Sequence, residues 1–444
     1  MPEHALPPPL ITAIDSIARP TIYYRHGYEA RFSAKNGNSA RSEKANSSIF
    51  KFLYLMKRIL FVIPSLGCGG AEQILLRWIG HYWKNRRVDP RVDPVLVFSM
   101  NEEGPYLDDL PPGLQTFNLR QNPFTRNPLD VLRAAWALAR IYRRLQPDLV
   151  VSIVSHANIL ALLAARLFRP KTKVIICEQT LLNTNIRDFY PRAHVLLNPL
   201  IRRLYPSAHR IVAVSEGVRA DLLENFGLRP ESIQVILNPI DIALVRQKAR
   251  EFVPDFIPGP EPLVLGIGRL VNQKGFVYLL RAIALVRREL PATLLLIGDG
   301  PLRSRLEEEV QELGLGEAVR FLGFQKNPIR YMPLASVFVF TSIYEALGIV
   351  LLEALAAGIP IVATCCPCGP GEILQDEING LLVPIRDEQA LAQAILRLLR
   401  DPQLRHSLSE AGRRRIEEYF SVAEHMSRYS RIFTEAMASG GSVS

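Results

Sequence analysis

Val337-Phe338-Val339-Phe340 and then Thr341-Ser342-Ile343-Tyr344-Glu345-Ala346-Leu347-Gly348-Ile349-Val350-Leu351-Leu352-Glu353 is the stretch that decides the fold. Four consecutive apolar residues, two of them β-branched, read as a strand buried on both faces. The residues from Glu345 onward open a helix. A buried strand running straight into a helix is the unit of a parallel, doubly wound α/β sheet. In such sheets ligands gather where strands end and helices begin.

The same pattern recurs on both sides. Apolar runs at 59–63, 94–98, 148–153, 173–177, 210–214 and 233–236 alternate with longer helical stretches. After Asn238-Pro239 and the proline-rich segment 254–262, a second series runs through 263–267, 293–297, 318–321, 337–340, 360–363 and 381–383. Two series divided by a proline-rich linker predict two Rossmann-like domains facing each other across a cleft. The expected boundaries are 56–240 and 241–420, with 421–444 a helix returning to the first domain and then a tail. Residues 1–55 carry Pro7-Pro8-Pro9 and Asn36-Gly37-Asn38 without helical or strand period. They read as a disordered or misassigned extension ahead of a start at Met56.

At 444 residues the chain is too long for one core. Its 48% hydrophobic and 22% charged residues exclude bulk disorder. Five cysteines argue against a secreted disulfide scaffold. The most apolar stretch, Leu149 to Ala165, contains Ser152, Ser155, His156 and Asn158, a poor membrane span. The expected location is therefore cytoplasmic, with peripheral contact at the inner face of the cell membrane. The net charge of +10 is uneven: 56–240 holds 24 basic and 15 acidic residues, whereas 241–444 holds 22 and 24. A basic first half faces an anionic partner, and nucleic acid, anionic lipid and a phosphorylated substrate all fit that description.

Three loops carry chemistry. Gly67-Cys68-Gly69-Gly70-Ala71-Glu72 joins the first strand to its helix, where backbone amides can approach an anion. Glu72 stands where a dinucleotide fingerprint has its third glycine, which argues against NAD. Gly266-Ile267-Gly268-Arg269 and Asn272-Gln273-Lys274-Gly275 bring a guanidinium and an ammonium to a helix start, a site for a diphosphate. In the third loop, Glu345 and Glu353 lie about 12 Å apart if the helix spans both, at about 1.5 Å per residue. That span suits a nucleotide-sugar, with carboxylates on its sugar and ribose hydroxyls and the amides of Gly348 and Ile349 on its phosphates.

These residues resemble a known family. With Gly69-Gly70-Ala71-Glu72, Ser155-His156-Ala157-Asn158, Val214-Ser215, Asn238-Pro239, Gly268-Arg269, Lys274-Gly275, Gly298-Asp299-Gly300, Gly323-Phe324 and Glu345 to Glu353, the chain is similar to family 4 glycosyltransferases. The likeness runs from Met56 to about Phe433 and is to bacterial enzymes of surface glycan assembly. It implies the GT-B arrangement and a hexosyltransferase that moves a sugar from a nucleotide-sugar, a UDP-sugar by preference, with retention of configuration. The implied acceptor is a glycan or a lipid-linked glycan. Carried over, Arg269 and Lys274 hold the diphosphate, Glu353 the ribose and Glu345 the donor sugar. Gly69 and Gly70 close the donor pocket from the other domain, and the base lies near Phe324. His156 lies near the acceptor and reacting sugar, where it orients hydroxyls or assists proton movement.

The chain departs from the family pattern in places. Glu345-Ala346-Leu347 stands where Glu-Gly-Phe is frequent, and Gly369-Pro370-Gly371-Glu372 lacks the arginine of the nearest relatives. No Asp-x-Asp occurs, so no metal cofactor is expected and the cations must stabilise the departing diphosphate. Cys365-Cys366-Pro367-Cys368 reads as a turn rather than a zinc site. Along Val131–Leu145, Arg133, Arg140 and Arg144 share one face, with Trp136 and Arg143 on its flank, while Leu138, Ile141 and Leu145 point inward. That basic stripe suits an anionic membrane surface, and no nucleic-acid-binding pattern accompanies it. Two rival readings are a GT-B nucleotide-sugar epimerase and a non-catalytic nucleotide-sugar binding protein.

Overall fold

The computed structural model describes residues 57–67, 70–85, 92–119, 128–168, 172–189, 194–253 and 259–438. The expectations for 1–55, Met56 and Gly69 fall outside these residues. The first half runs β1 (Lys57–Ile63), α1 (Gly70–Asn85), β2 (Val92–Phe98), β3 (Gln115–Asn118), α2 (Pro128–Leu145), β4 (Leu149–Ile153) and α3 (Ser155–Phe168). It continues through β5 (Lys173–Glu178), α4 (Leu182–Phe189), α5 (His194–Leu204), β6 (Arg210–Ala213), α6 (Glu216–Phe226), β7 (Ile233–Val235) and α7 (Ile242–Ala249). The second half begins β8 (Leu263–Ile267), α8 (Phe276–Val286), β9 (Thr293–Ile297), α9 (Arg303–Glu312), β10 (Val319–Phe321), β11 (Val337–Phe340) and α10 (Ile349–Ala357). It ends with β12 (Ile361–Thr364), α11 (Pro370–Ile373), β13 (Leu381–Val383), α12 (Glu388–Arg400), α13 (Pro402–Tyr419) and α14 (Val422–Ala438).

The strands form two parallel sheets, ordered β3-β2-β1-β4-β5-β6-β7 and β10-β9-β8-β11-β12-β13. In each sheet the order reverses beside the first strand, between β1 and β4 and between β8 and β11. The loops leaving these strands open a crevice there. Burial explains the strands: every residue of Leu149–Ile153 and of Val337–Phe340 is inside, because helices cover both faces. β3 escaped the sequence reading because Gln-Thr-Phe-Asn buries only Phe117, as an edge strand can.

α14 closes the first domain rather than the second. Tyr429 and Phe433 are fully buried and pack with Phe61 and Trp78, the Trp78 and Tyr429 rings lying 4.5 Å apart. His425 Nε2 accepts from Trp78 Nε1 at 3.1 Å while its Nδ1 meets the Leu237 carbonyl at 3.0 Å. One imidazole thus ties the first domain, the crossover segment and the last helix together. Burial lowers its pKa to about 4, so it stays neutral at physiological pH.

α2 behaves as its periodicity predicts. Leu138, Ile141 and Leu145 are buried, and Arg133, Arg140, Arg143 and Arg144 are exposed. The Arg140 guanidinium lies 4.8 Å from the Trp136 ring centroid, and Leu129 and Leu132 stand exposed beside them. Among the described residues no helix is long and apolar enough to cross a membrane.

Candidate functional site

The crevice of the second domain is built by stitching the β8 loop to the β11 loop. Thr341 Oγ1 donates to the Lys274 carbonyl at 2.8 Å, Ile343 N to the Gln273 carbonyl at 2.8 Å, and Gln273 Nε2 to the Tyr344 carbonyl at 3.0 Å. Gly275 makes this possible: its φ is +62°, and a Cβ there would lie 2.2 Å from the Thr341 carbonyl oxygen. So stitched, the 3-10 turn Asn272–Lys274 delivers Lys274 Nζ to the carboxylate of Glu345, and both side chains are mostly buried. Ser342 Oγ adds a 3.0 Å hydrogen bond to the same carboxylate oxygen. Arg269 extends from the same loop into solvent, close enough to act electrostatically on Tyr344.

Gly348, at φ +91°, ends the irregular loop and starts α10 at Ile349. The helix therefore does not span both glutamates as expected: Glu345 precedes it and only Glu353 lies on it. A continuous helical rise between the carboxylates does not apply. No side chain caps the amides at this helix start, which leaves it suited to an anion. Gly70, the first residue of α1, faces it from the other domain. A Cβ on Gly70 would meet Ile349 Cδ1 at 2.0 Å, so two helix N-termini converge on one spot.

Glu353 is enclosed one turn further in. Burial raises its pKa to about 7, against the opposing pull of Lys248 and Arg77. Arg77, on α1, donates to the Pro239 carbonyl at 2.5 Å, so Glu353 senses both domains and the crossover between them. Phe324 is 56% exposed, just beyond Gly323 at φ +68° and beside the Gly298 turn, whose amide donates to the Gly323 carbonyl at 2.9 Å. Such a bare aromatic face can stack on a planar ring. Among the described residues no group of three or more His, Cys, Asp or Glu side chains is gathered as metal ligands, the Cys365–Cys368 turn included.

His156 lies on the first domain, in the first turn of α3 at the cleft end of β4. Burial lowers its pKa to about 4, so at neutral pH it is an uncharged imidazole. Its neighbour Ser155 belongs to a network that the sequence did not reveal. Glu178, fully buried at the end of β5, accepts from Ser155 Oγ at 2.8 Å, Tyr205 Oη at 2.9 Å, Thr180 Oγ1 at 3.2 Å and Asn158 Nδ2 at 3.4 Å. Burial raises its pKa while these donors favour the charged form. The only sequence signal was an acid ending an apolar strand.

Two further residues join the domains across the cleft. Tyr344 Oη donates to Asp188 Oδ2, and the Glu372 carboxylate accepts from the amides of Glu216 and Gly217 at 2.8 and 3.2 Å, capping α6. Arg269, Lys274, Glu345, Gly348, Ile349 and Gly70 thus share one crevice. Glu353 lies deeper, Phe324 at a rim and His156 on the facing domain.

Comparisons with known proteins agree with this fold. The family described as Glycosyltransferase Family 4 matches residues 86–244, and Glycosyl transferases group 1 matches 247–415. A Campylobacter jejuni protein is 30% identical over 83% of this chain and 97% of its own length. It is named N-acetylgalactosamine-N,N'-diacetylbacillosaminyl-diphospho-undecaprenol 4-alpha-N-acetylgalactosaminyltransferase. The lipopolysaccharide core biosynthesis glycosyltransferase LpsD of Rhizobium meliloti is 30% identical over 71% of this chain and 83% of its own. Among solved structures, HepE of Anabaena in complex with UDP-glucose superposes with a TM-score of 0.67 at 21% identity, over 85% of this chain and 99% of that one. Two parallel sheets meeting at paired helix N-termini, together with a relative 30% identical over 83% of this chain and 97% of its own length, make this chain a member of the family 4 glycosyltransferases with the GT-B fold.

Proposed function

We propose that the protein transfers a sugar from a UDP-sugar, with retention of configuration, to a lipid-linked glycan during assembly of a bacterial surface polysaccharide. The observation that carries this reading is Lys274 held on Glu345 beneath the facing starts of α1 and α10. A diphosphate seated between the two helix starts would meet the uncapped amides of α10, Lys274 and Arg269. The charge that develops as the sugar leaves would fall on those groups. Glu345 would hold the sugar hydroxyls, Glu353 the ribose and Phe324 the base, with neutral His156 approaching the reacting sugar from the acceptor side. Arg269, Lys274 and the helix starts supply the positive charge, so the reading needs no metal ion. HepE, which shares the fold, was solved with UDP-glucose.

The acceptor assignment draws on the diphospho-undecaprenol substrate in the name of the Campylobacter jejuni relative. It also draws on α2, whose exposed arginines and Trp136 suit an anionic membrane face. The test is transfer from a panel of UDP-sugars to a short-chain prenyl-diphosphate-linked hexosamine, with the anomer of the product read by NMR and a chelator control. Transfer with an α-linkage from an α-linked donor, undiminished by EDTA, is expected. An inverted linkage, activity only with another nucleotide, or a metal requirement would refute the corresponding part.

A further inference from the structure

Beside the Lys274 turn, a cavity of about 370 Å³ lies between α8, α9 and the loop entering α12, and none of Arg269, Lys274, Glu345 or Gly348 lines it. Its walls include Asn272, Phe276, Arg281, Arg305, Glu309 and Arg386. We infer that it is a binding site for a small phosphomonoester, separate from the donor crevice.

Three arginines from three different elements converge on one hollow, in a half of the chain whose acidic residues outnumber its basic ones by 24 to 22. The concentration of positive charge is local, not a reflection of overall composition. Arg281 is already neutralised: its Nε donates to Glu309 Oε1 at 2.7 Å, and Glu388 adds to the attraction. Arg305 and Arg386 have no ion-pair partner among the described residues. The nearest acid in sequence, Asp387, is occupied as the cap of α12, accepting from Ala390 N at 2.9 Å. Arg386 also holds a φ of +61°, a conformation that costs a non-glycine residue energy. Gly275, Phe276 and Val277 at the start of α8, which no side chain caps, also line the hollow. Two unpaired guanidiniums and uncapped amides call for a phosphate. The volume admits a small organic body, for which Phe276 and Leu306 supply an apolar wall.

Calorimetry on the full chain tests this, with UDP present throughout and glycerol 3-phosphate or inorganic phosphate as titrant. UDP binding, measured separately for each protein, reports both the donor site and correct folding. The expected result is saturable phosphate binding, weakened about tenfold or more in Arg305→Gln/Arg386→Gln with UDP affinity unchanged. A preference for glycerol 3-phosphate over inorganic phosphate would show that the apolar wall takes part. No heat with either titrant into the tens of millimolar, equal binding by the double variant, or a parallel loss of UDP binding would overturn the assignment.

Discussion

Tyr344 and Asp188 meet across the cleft: the phenol donates a 2.5 Å hydrogen bond to the carboxylate of α4. The carboxylate helps raise the Tyr344 pKa to well above its usual value, after burial as the larger cause. Tyr344 immediately precedes Glu345, and its carbonyl is held by Gln273 of the Lys274 turn. Domain closure and the geometry of the reacting site are therefore mechanically one unit.

Tyr344→Phe should loosen closure without removing a donor-binding group. A hydrogen bond to a charged acceptor contributes about 1.5–3 kcal/mol at most, and solvent at this half-exposed pair reduces it. The expected result is a donor KM raised about three- to tenfold, together with a larger radius of gyration in X-ray scattering. Unchanged values of both would mean that the contact does not govern closure.

Lys274→Ala should reduce turnover more than donor affinity, because attraction to the leaving diphosphate grows as the bond breaks. One such stabiliser accounts for about 100–1,000-fold in rate. The variant also leaves the Glu345 carboxylate, now mostly buried, without its cation. Steady-state kinetics beside UDP titration separate the two effects, and near-native turnover would remove Lys274 from the chemical step.

Glu353 and His156 should give opposite pH signatures. The folded chain holds a proton on Glu353 that the unfolded chain releases, since its pKa rises from 4.5 to about 7. Stability from this group is full below 4.5 and is lost as pH rises through 7. For His156 the pKa falls from 6.5 to about 4, so its contribution is full above 6.5 and is lost as pH drops through 4. Relative to wild type, Glu353→Gln should gain stability between pH 5 and 8, on the order of a few kcal/mol. His156→Asn should lose acid sensitivity instead. Denaturant melts from pH 4 to 8 measure both, and parallel pH curves for variant and wild type would contradict the assignment.

Replacing Arg133, Arg140 and Arg144 by glutamine should weaken binding to anionic vesicles, each cation near the surface contributing about 1 kcal/mol. UDP binding should not change, because none of the three arginines is among the residues that share the crevice. Vesicle sedimentation at low salt measures it. A native protein that ignores phosphatidylglycerol vesicles would remove the membrane from the reading.

Much of the architecture was legible in the residues themselves. Runs such as Leu149–Ile153 and Val337–Phe340 can satisfy their side chains only inside a sheet covered on both faces. The alternation of such runs with amphipathic segments therefore dictates parallel order. The inward and outward faces of α2 followed from 3.6-residue periodicity alone. The positions of Arg269, Lys274, Glu345 and Gly348 were readable because each lies in a loop between a strand and the helix that follows it. What the sequence left undecided depends on groups far apart in the chain. Glu372 caps a helix that begins 156 residues earlier, and Ile349 fills the space that a glycine leaves at position 70. Of the four donors around Glu178, Ser155 and Asn158 come from α3 and Tyr205 from beyond α5, and only Thr180 is a near neighbour in the chain. Side-chain periodicity encodes which face is buried, but not which distant face it is buried against; that choice is made when two independently folded sheets close over one cleft.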